Sequence, residues 1–124
     1  MKEKYIIKEC KHHGSTEFVL EGRGSYRCKK CRSKAVLERR RVVKRKLVNY
    51  FGNKCLICYY SKCIQALEFH HLNPKEKKFA LGNDGISRSY TKSLEEAKKC
   101  IMVCANCHRE IESNLVDISK YINK

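Results

Sequence analysis

Four pairs of metal-type ligands, each pair separated by two residues, constrain this chain more than any other feature of its sequence. They are Cys10-x-x-His13, Cys28-x-x-Cys31, Cys55-x-x-Cys58 and Cys104-x-x-Cys107. Structural zinc takes four Cys or His ligands in a tetrahedron, and a tight knuckle with two intervening residues supplies two of them. The first two pairs lie 14 residues apart and the last two 45 residues apart, so the chain offers two complete ligand sets. At the first set His12 competes with His13. The two-residue spacing, and a following Gly14 that lets the knuckle turn, favour His13. Cys63 and Cys100 are left over, each beside an expected strand, and read as core packing.

A chain of 124 residues with no Trp and a third of its residues charged cannot fill two conventional hydrophobic cores, so staples of this kind are needed. Nine cysteines cannot all pair in disulfides. No apolar run approaches a membrane span, and the N-terminus MKEKYIIKEC lacks the apolar core of a signal peptide. The expected location is therefore the cytosol, where close cysteine pairs hold metal more often than they form disulfides.

The charge points to a polyanionic partner. The formal net charge is +15; residues 1–54 carry +12 of it and residues 55–124 only +3. Seven thiolates would remove seven charges and two zinc ions return four, so metallation still leaves a strongly basic protein.

Three segments follow. Residues 1–33 read as a zinc-ribbon hairpin, with strands over 16–20 and 25–27 joined by a turn at Glu21-Gly22-Arg23-Gly24. Residues 34–52 read as a basic linker helix, capped by Ser33 and stopped by Gly52. Over 29–46 it carries ten Lys and Arg against one Glu, and Arg39, Arg40, Arg41, Lys44 and Arg45 are its candidate phosphate contacts. Residues 53–124 form the third segment: a strand over 66–70, an irregular polar stretch over 73–91, a short helix over 94–99 behind a capping box at Ser93, and a strand over 101–103. A last helix begins near Asn106 as cap and places Ile111, Leu115 and Ile118 on one face. The expected fold class is a small, zinc-stapled α+β protein.

Three histidines fall outside the first ligand set. His70 and His71 sit where the 66–70 strand breaks, a place where neighbouring side chains can turn to one site, and His108 directly follows the Cys104/Cys107 knuckle. Glu68, on the same strand face as His70, can orient it, and Glu112, one turn beyond His108, can face the same point. Cys-x-x-Cys, then Leu67-Glu68-Phe69-His70-His71-Leu72-Asn73-Pro74, then Cys-x-x-Cys-His resembles the HNH (ββα-metal) endonuclease family over about residues 55–112. The ribbon and basic helix are also similar to those of small HNH proteins encoded by phages, which implies a bacterial cytoplasm.

The resemblance implies a ββα-metal fold for residues 53–124 and hydrolysis of a DNA phosphodiester bond, duplex DNA being the family's usual substrate, to leave 5′-phosphate and 3′-hydroxyl ends. It makes His71 the general base and His70 and His108 ligands of a catalytic divalent ion, Mg²⁺ in the first instance, with Mn²⁺ or Ni²⁺ acceptable to two imidazoles. Glu112 is a weaker third ligand. Arg88, in the loop between the two strands, and Arg109 are alternative clamps for the scissile phosphate. The chain departs from the family at Lys99, where a middle Asn is usual, and at Glu112, where a His or Asn is common. The rival function is a non-catalytic zinc-ribbon DNA-binding regulator, which leaves the three histidines without a task. An RNA-directed role is a third, with little sign of a base-stacking platform near the basic helix.

Overall fold

A computed structural model describes residues 2–82 and 88–122. The centre of the polar stretch, 83–87, lies outside them. The chain divides into two compact units, Met1–Arg39 and Arg40–Lys124, and the cut falls within one helix.

The first unit is a three-stranded antiparallel sheet in the order β1-β2-β3, built from β1 (Tyr5–Cys10), β2 (Gly14–Leu20) and β3 (Tyr26–Cys28). The sequence pointed only to the β2–β3 hairpin. β1 joins it because the Cys10–Gly14 turn folds the Tyr5-Ile6-Ile7 run back along β2, pairing Tyr5 with Val19 and Cys10 with Gly14. Gly14, at φ +68°, supplies the left-handed residue this turn needs. The core is very small: Phe18 with Cys10 and Cys28, flanked by Ile6, Tyr26 and Cys31. Apolar burial on this scale does not hold a domain together unaided.

Helix α1 (Lys29–Tyr50) starts four residues before Ser33, the expected cap. The cap is Cys28, whose Sγ accepts the Cys31 N–H at 3.5 Å, so a thiol does the work usually left to Ser or Asp. Gly52 (φ +93°) and Asn53 (φ +63°) end the helix in left-handed conformations.

In the second unit β4 (Leu67–His71) and β5 (Cys100–Cys104) pair antiparallel, with His70 opposite Ile101 and His71 opposite Cys100. Helix α2 (Tyr90–Ala97) precedes β5 and α3 (Ala105–Glu112) follows it directly. The core gathers Val43, Leu47 and Val48 of α1 with Leu67, Phe69, Leu81, Ala97, Ile111 and all five residues of β5. A short helix, α4 (Ser119–Ile122), lies beyond.

Four expectations are corrected here. α2 begins at Tyr90 with Ser89 as cap, its side chain accepting the Lys92 N–H; Ser93 is buried inside the helix and makes no capping box. α3 is capped by Cys104 through the Cys107 N–H, and Asn106 is exposed in its first turn. α3 stops at Glu112 because Asn114 turns left-handed at φ +61° and the Leu115 N–H closes on Glu110 O, leaving Leu115 exposed rather than in line with Ile111. Cys63 is exposed, whereas Cys100 is buried as expected. Among the described residues no helix is long and apolar enough to cross a membrane.

Candidate functional site

Cys10, His13, Cys28 and Cys31 converge in the first unit, and His13, not His12, is the fourth member. His13 Nδ1 lies 3.5, 3.6 and 3.4 Å from the sulfurs of Cys10, Cys28 and Cys31, and Cys10 and Cys31 sulfurs are 3.6 Å apart. A tetrahedron with Zn–S bonds of about 2.3 Å and a Zn–N bond of about 2.0 Å has edges of about 3.5–3.8 Å, so the four ligand atoms already stand at the corners zinc requires. The second unit repeats this with Cys55, Cys58, Cys104 and Cys107, where the Cys58 and Cys104 sulfurs are also 3.6 Å apart.

The thiols are prepared for a cation. The His12 N–H bond to Cys10 outweighs the cost of burial and, with its ligand neighbours, lowers Cys10 to about 6, while burial and the neighbouring thiols push Cys31 up to about 11. In the second cluster burial opposes ionisation of Cys55, but N–H groups of Cys58, Cys104 and Ile57 bring it down to about 7; burial and the other three thiols drive Cys107 upward. In each cluster one thiolate forms readily and then discourages the next, a repulsion that a bound cation removes.

The third cluster is His70, His108 and Glu112, whose ligand atoms lie within 4.8 Å of one another. β4 supplies His70, and the Cys104/Cys107 knuckle fixes the start of the helix that carries His108 and Glu112. The imidazole rings of His70 and His108 meet edge to face at 5.2 Å. Burial, and then the nearby His108, lower the pKa of His70, which favours the neutral ring a metal needs. Glu68 does not serve His70. Its Oε1 accepts the Nδ1 proton of His108 at 2.7 Å, while His108 Nε2 faces Glu112 Oε1 at 3.3 Å. With the proton on Nδ1, a lone pair confronts a carboxylate, and either a cation or a second ring proton must sit between them. The donor set therefore fits a divalent ion of the Mg²⁺–Mn²⁺–Ni²⁺ range.

His71 belongs to a different arrangement. Its Nε2 is 2.7 Å from Glu96 Oε2, and the Glu96 side chain is almost wholly buried. Burial would raise the Glu96 pKa, but the Lys99 ammonium, the Lys78 N–H and His71 together lower it to about 2. An ionised carboxylate only accepts, so His71 Nε2 carries a proton, and in the neutral ring Nδ1 is the acceptor. His71 lines a cleft of about 280 Å³ together with Glu68, His108, Gln65 and Lys77. Lys99, which stands where a middle Asn was looked for, ties Glu96 to Glu76 O and so acts on His71 through the carboxylate.

Glu96, the buried partner of His71, is the candidate-site residue that the sequence did not single out. Its signal was an acid at core-facing spacing, three residues after Ser93 and one before Ala97, both buried on α2.

Of the expected phosphate contacts, Arg39, Arg41 and Arg45 are exposed on α1, and Arg40 is half-buried. Lys44 is corrected. It is buried, its Nζ donates to Leu67 O and lies over the Phe69 ring, and it lines the His71 cleft instead of standing on the exposed face of α1. Arg109 is exposed beside His108, and Arg88 stacks on Phe79 at 4.1 Å from the ring centroid. No protein-family model, curated protein or solved structure matches the chain.

Proposed function

We propose that this protein is a metal-dependent DNA endonuclease of the HNH (ββα-metal) kind. One observation carries the reading: a β4–β5–α3 unit clusters His70, His108 and Glu112, while the adjacent His71 is held separately by a buried carboxylate. His71 and His108, one member of the ligand set, line the same cleft, which a purely structural metal site does not need.

A divalent ion bound by His70, His108 and Glu112 supplies charge neutralisation for the scissile phosphate. His71 takes a proton from water at Nδ1, and the resulting hydroxide attacks phosphorus as the P–O3′ bond breaks, leaving a 5′-phosphate and a 3′-alkoxide that is then protonated. Glu96 keeps the tautomer and ring plane of His71 fixed. Arg88 and Arg109 are the candidate clamps on the phosphate. Exposed arginines of α1, with the +12 excess over residues 1–54, hold the flanking backbone of duplex DNA. Zinc ions at the two four-ligand clusters are structural.

The test is incubation of the zinc-loaded protein with supercoiled plasmid and Mg²⁺ or Mn²⁺, beside His71→Ala. Cutting by the parent and not by the variant, with DNA binding kept in both, is expected. Binding without cutting by the parent under every metal condition would leave the zinc-ribbon regulator as the correct reading, and equal cutting by both proteins would remove His71 as base.

A further inference from the structure

The Cys55–Cys58 knuckle holds a residue its own geometry disfavours. The turn is closed by the Tyr59 N–H on Cys55 O and the Cys55 N–H on Tyr60 O, and it sets Tyr59 at φ +65°. Glycine adopts that conformation freely; the other non-glycine residues that do so among the described residues are Asn53 and Asn114. An aromatic side chain kept on strained backbone points to a use for the side chain.

Tyr59 is 64% exposed, with the Lys54 ammonium 4.8 Å from its ring centroid. The two residues border a pocket of about 150 Å³ whose remaining walls include Phe51, Leu56 and Met102. A cavity of that volume accepts a single benzene-sized ring. The pocket shares no lining residue with the His71 cleft.

From the aromatic and apolar walls, the one-ring volume, the adjacent cation and the basic charge of the chain, we infer that this pocket is a second nucleic-acid site, which takes one unstacked pyrimidine of single-stranded or locally opened DNA. Tyr59 supplies a stacking face and Lys54 neutralises the adjoining phosphate. The inference rests on the reading of the protein as DNA-acting and adds to it a preference for unpaired bases.

The discriminating variant is Tyr59→Gly, which relieves the left-handed φ, suits the knuckle and removes only the ring. Binding of a short labelled oligothymidylate, and of a duplex of equal length, is measured by anisotropy with full-length zinc-loaded protein and no added Mg²⁺ or Mn²⁺. Tyr59→Gly should keep its zinc, melt no lower than the parent and bind oligothymidylate about 5- to 100-fold more weakly, with duplex binding unchanged. Tyr59→Phe should bind like the parent. Four results overturn the site: parental oligothymidylate affinity in Tyr59→Gly, equal loss on duplex and single strand, loss of zinc in that variant, or a parent that binds duplex alone. A parent that binds neither DNA fails the proposed function as well.

Discussion

At the residue scale the unexpected contribution is the buried carboxylate behind His71. In Glu96→Gln the bond to His71 Nε2 loses its charge, and turnover of plasmid DNA should fall about 10- to 100-fold, the usual cost of removing such a support. The carboxylate also leaves a signature in acid. Its pKa falls from 4.5 to about 2 on folding, so the stabilisation is complete above about pH 4.5 and is lost as pH drops toward 2. The difference corresponds to about 3 kcal/mol. Urea melts of parent and Glu96→Gln across that window should converge as pH falls; parallel curves would show that Glu96 is not ionised against its partners. The comparison is read at pH values where both proteins still hold both zinc ions, since losing the cluster unfolds the unit. Tyr59→Gly belongs here too, because removing a left-handed non-glycine residue should raise stability by about 1 kcal/mol, read as a higher melting temperature.

At the element scale α1 shows how much of the fold was legible and why the remainder was not. Its unbroken Lys- and Arg-rich run announced a helix, and the ligand spacings announced where the metal clusters form. Charge alone did not separate Lys44 from its neighbours: it lies among Val43, Leu47 and Val48 on the buried stripe, and a lysine stem packs there as readily as a leucine. The expected helix starts at Ser33, Ser93 and Asn106 each followed the usual preference for a side-chain oxygen. Two of the true caps are sulfurs that also belong to the four-ligand clusters, a dual use invisible to a rule about oxygens. Glu96 was hidden for a related reason: one acid on an amphipathic helix looks solvated until the strand opposite is known to place a histidine there. The burial of Lys44 makes a direct prediction. Lys44→Met should leave the salt dependence of DNA binding unchanged, whereas Arg45→Ala should lower the slope by about one phosphate contact.

At the scale of the whole molecule, two compact units each carry a four-ligand cluster, and the first has almost no apolar core beside it. Metal analysis should return two zinc ions per chain. Cys55→Ser should unfold the second unit while the β1–β2–β3 amide signals persist in NMR spectra, since that sheet has its own cluster; loss of both sets together would mean the units do not fold separately. Cys104 gives this dependence an order in time. One sulfur ends β5, opens α3 and occupies a corner of the cluster, and His108 and Glu112 lie on that helix. If the proposed catalytic ion binds at His70, His108 and Glu112, its site would therefore form only once the four-cysteine cluster is filled. On the proposed function, copies made in a cell short of zinc would stay inert whatever the supply of magnesium, and zinc would be the licence under which the protein matures.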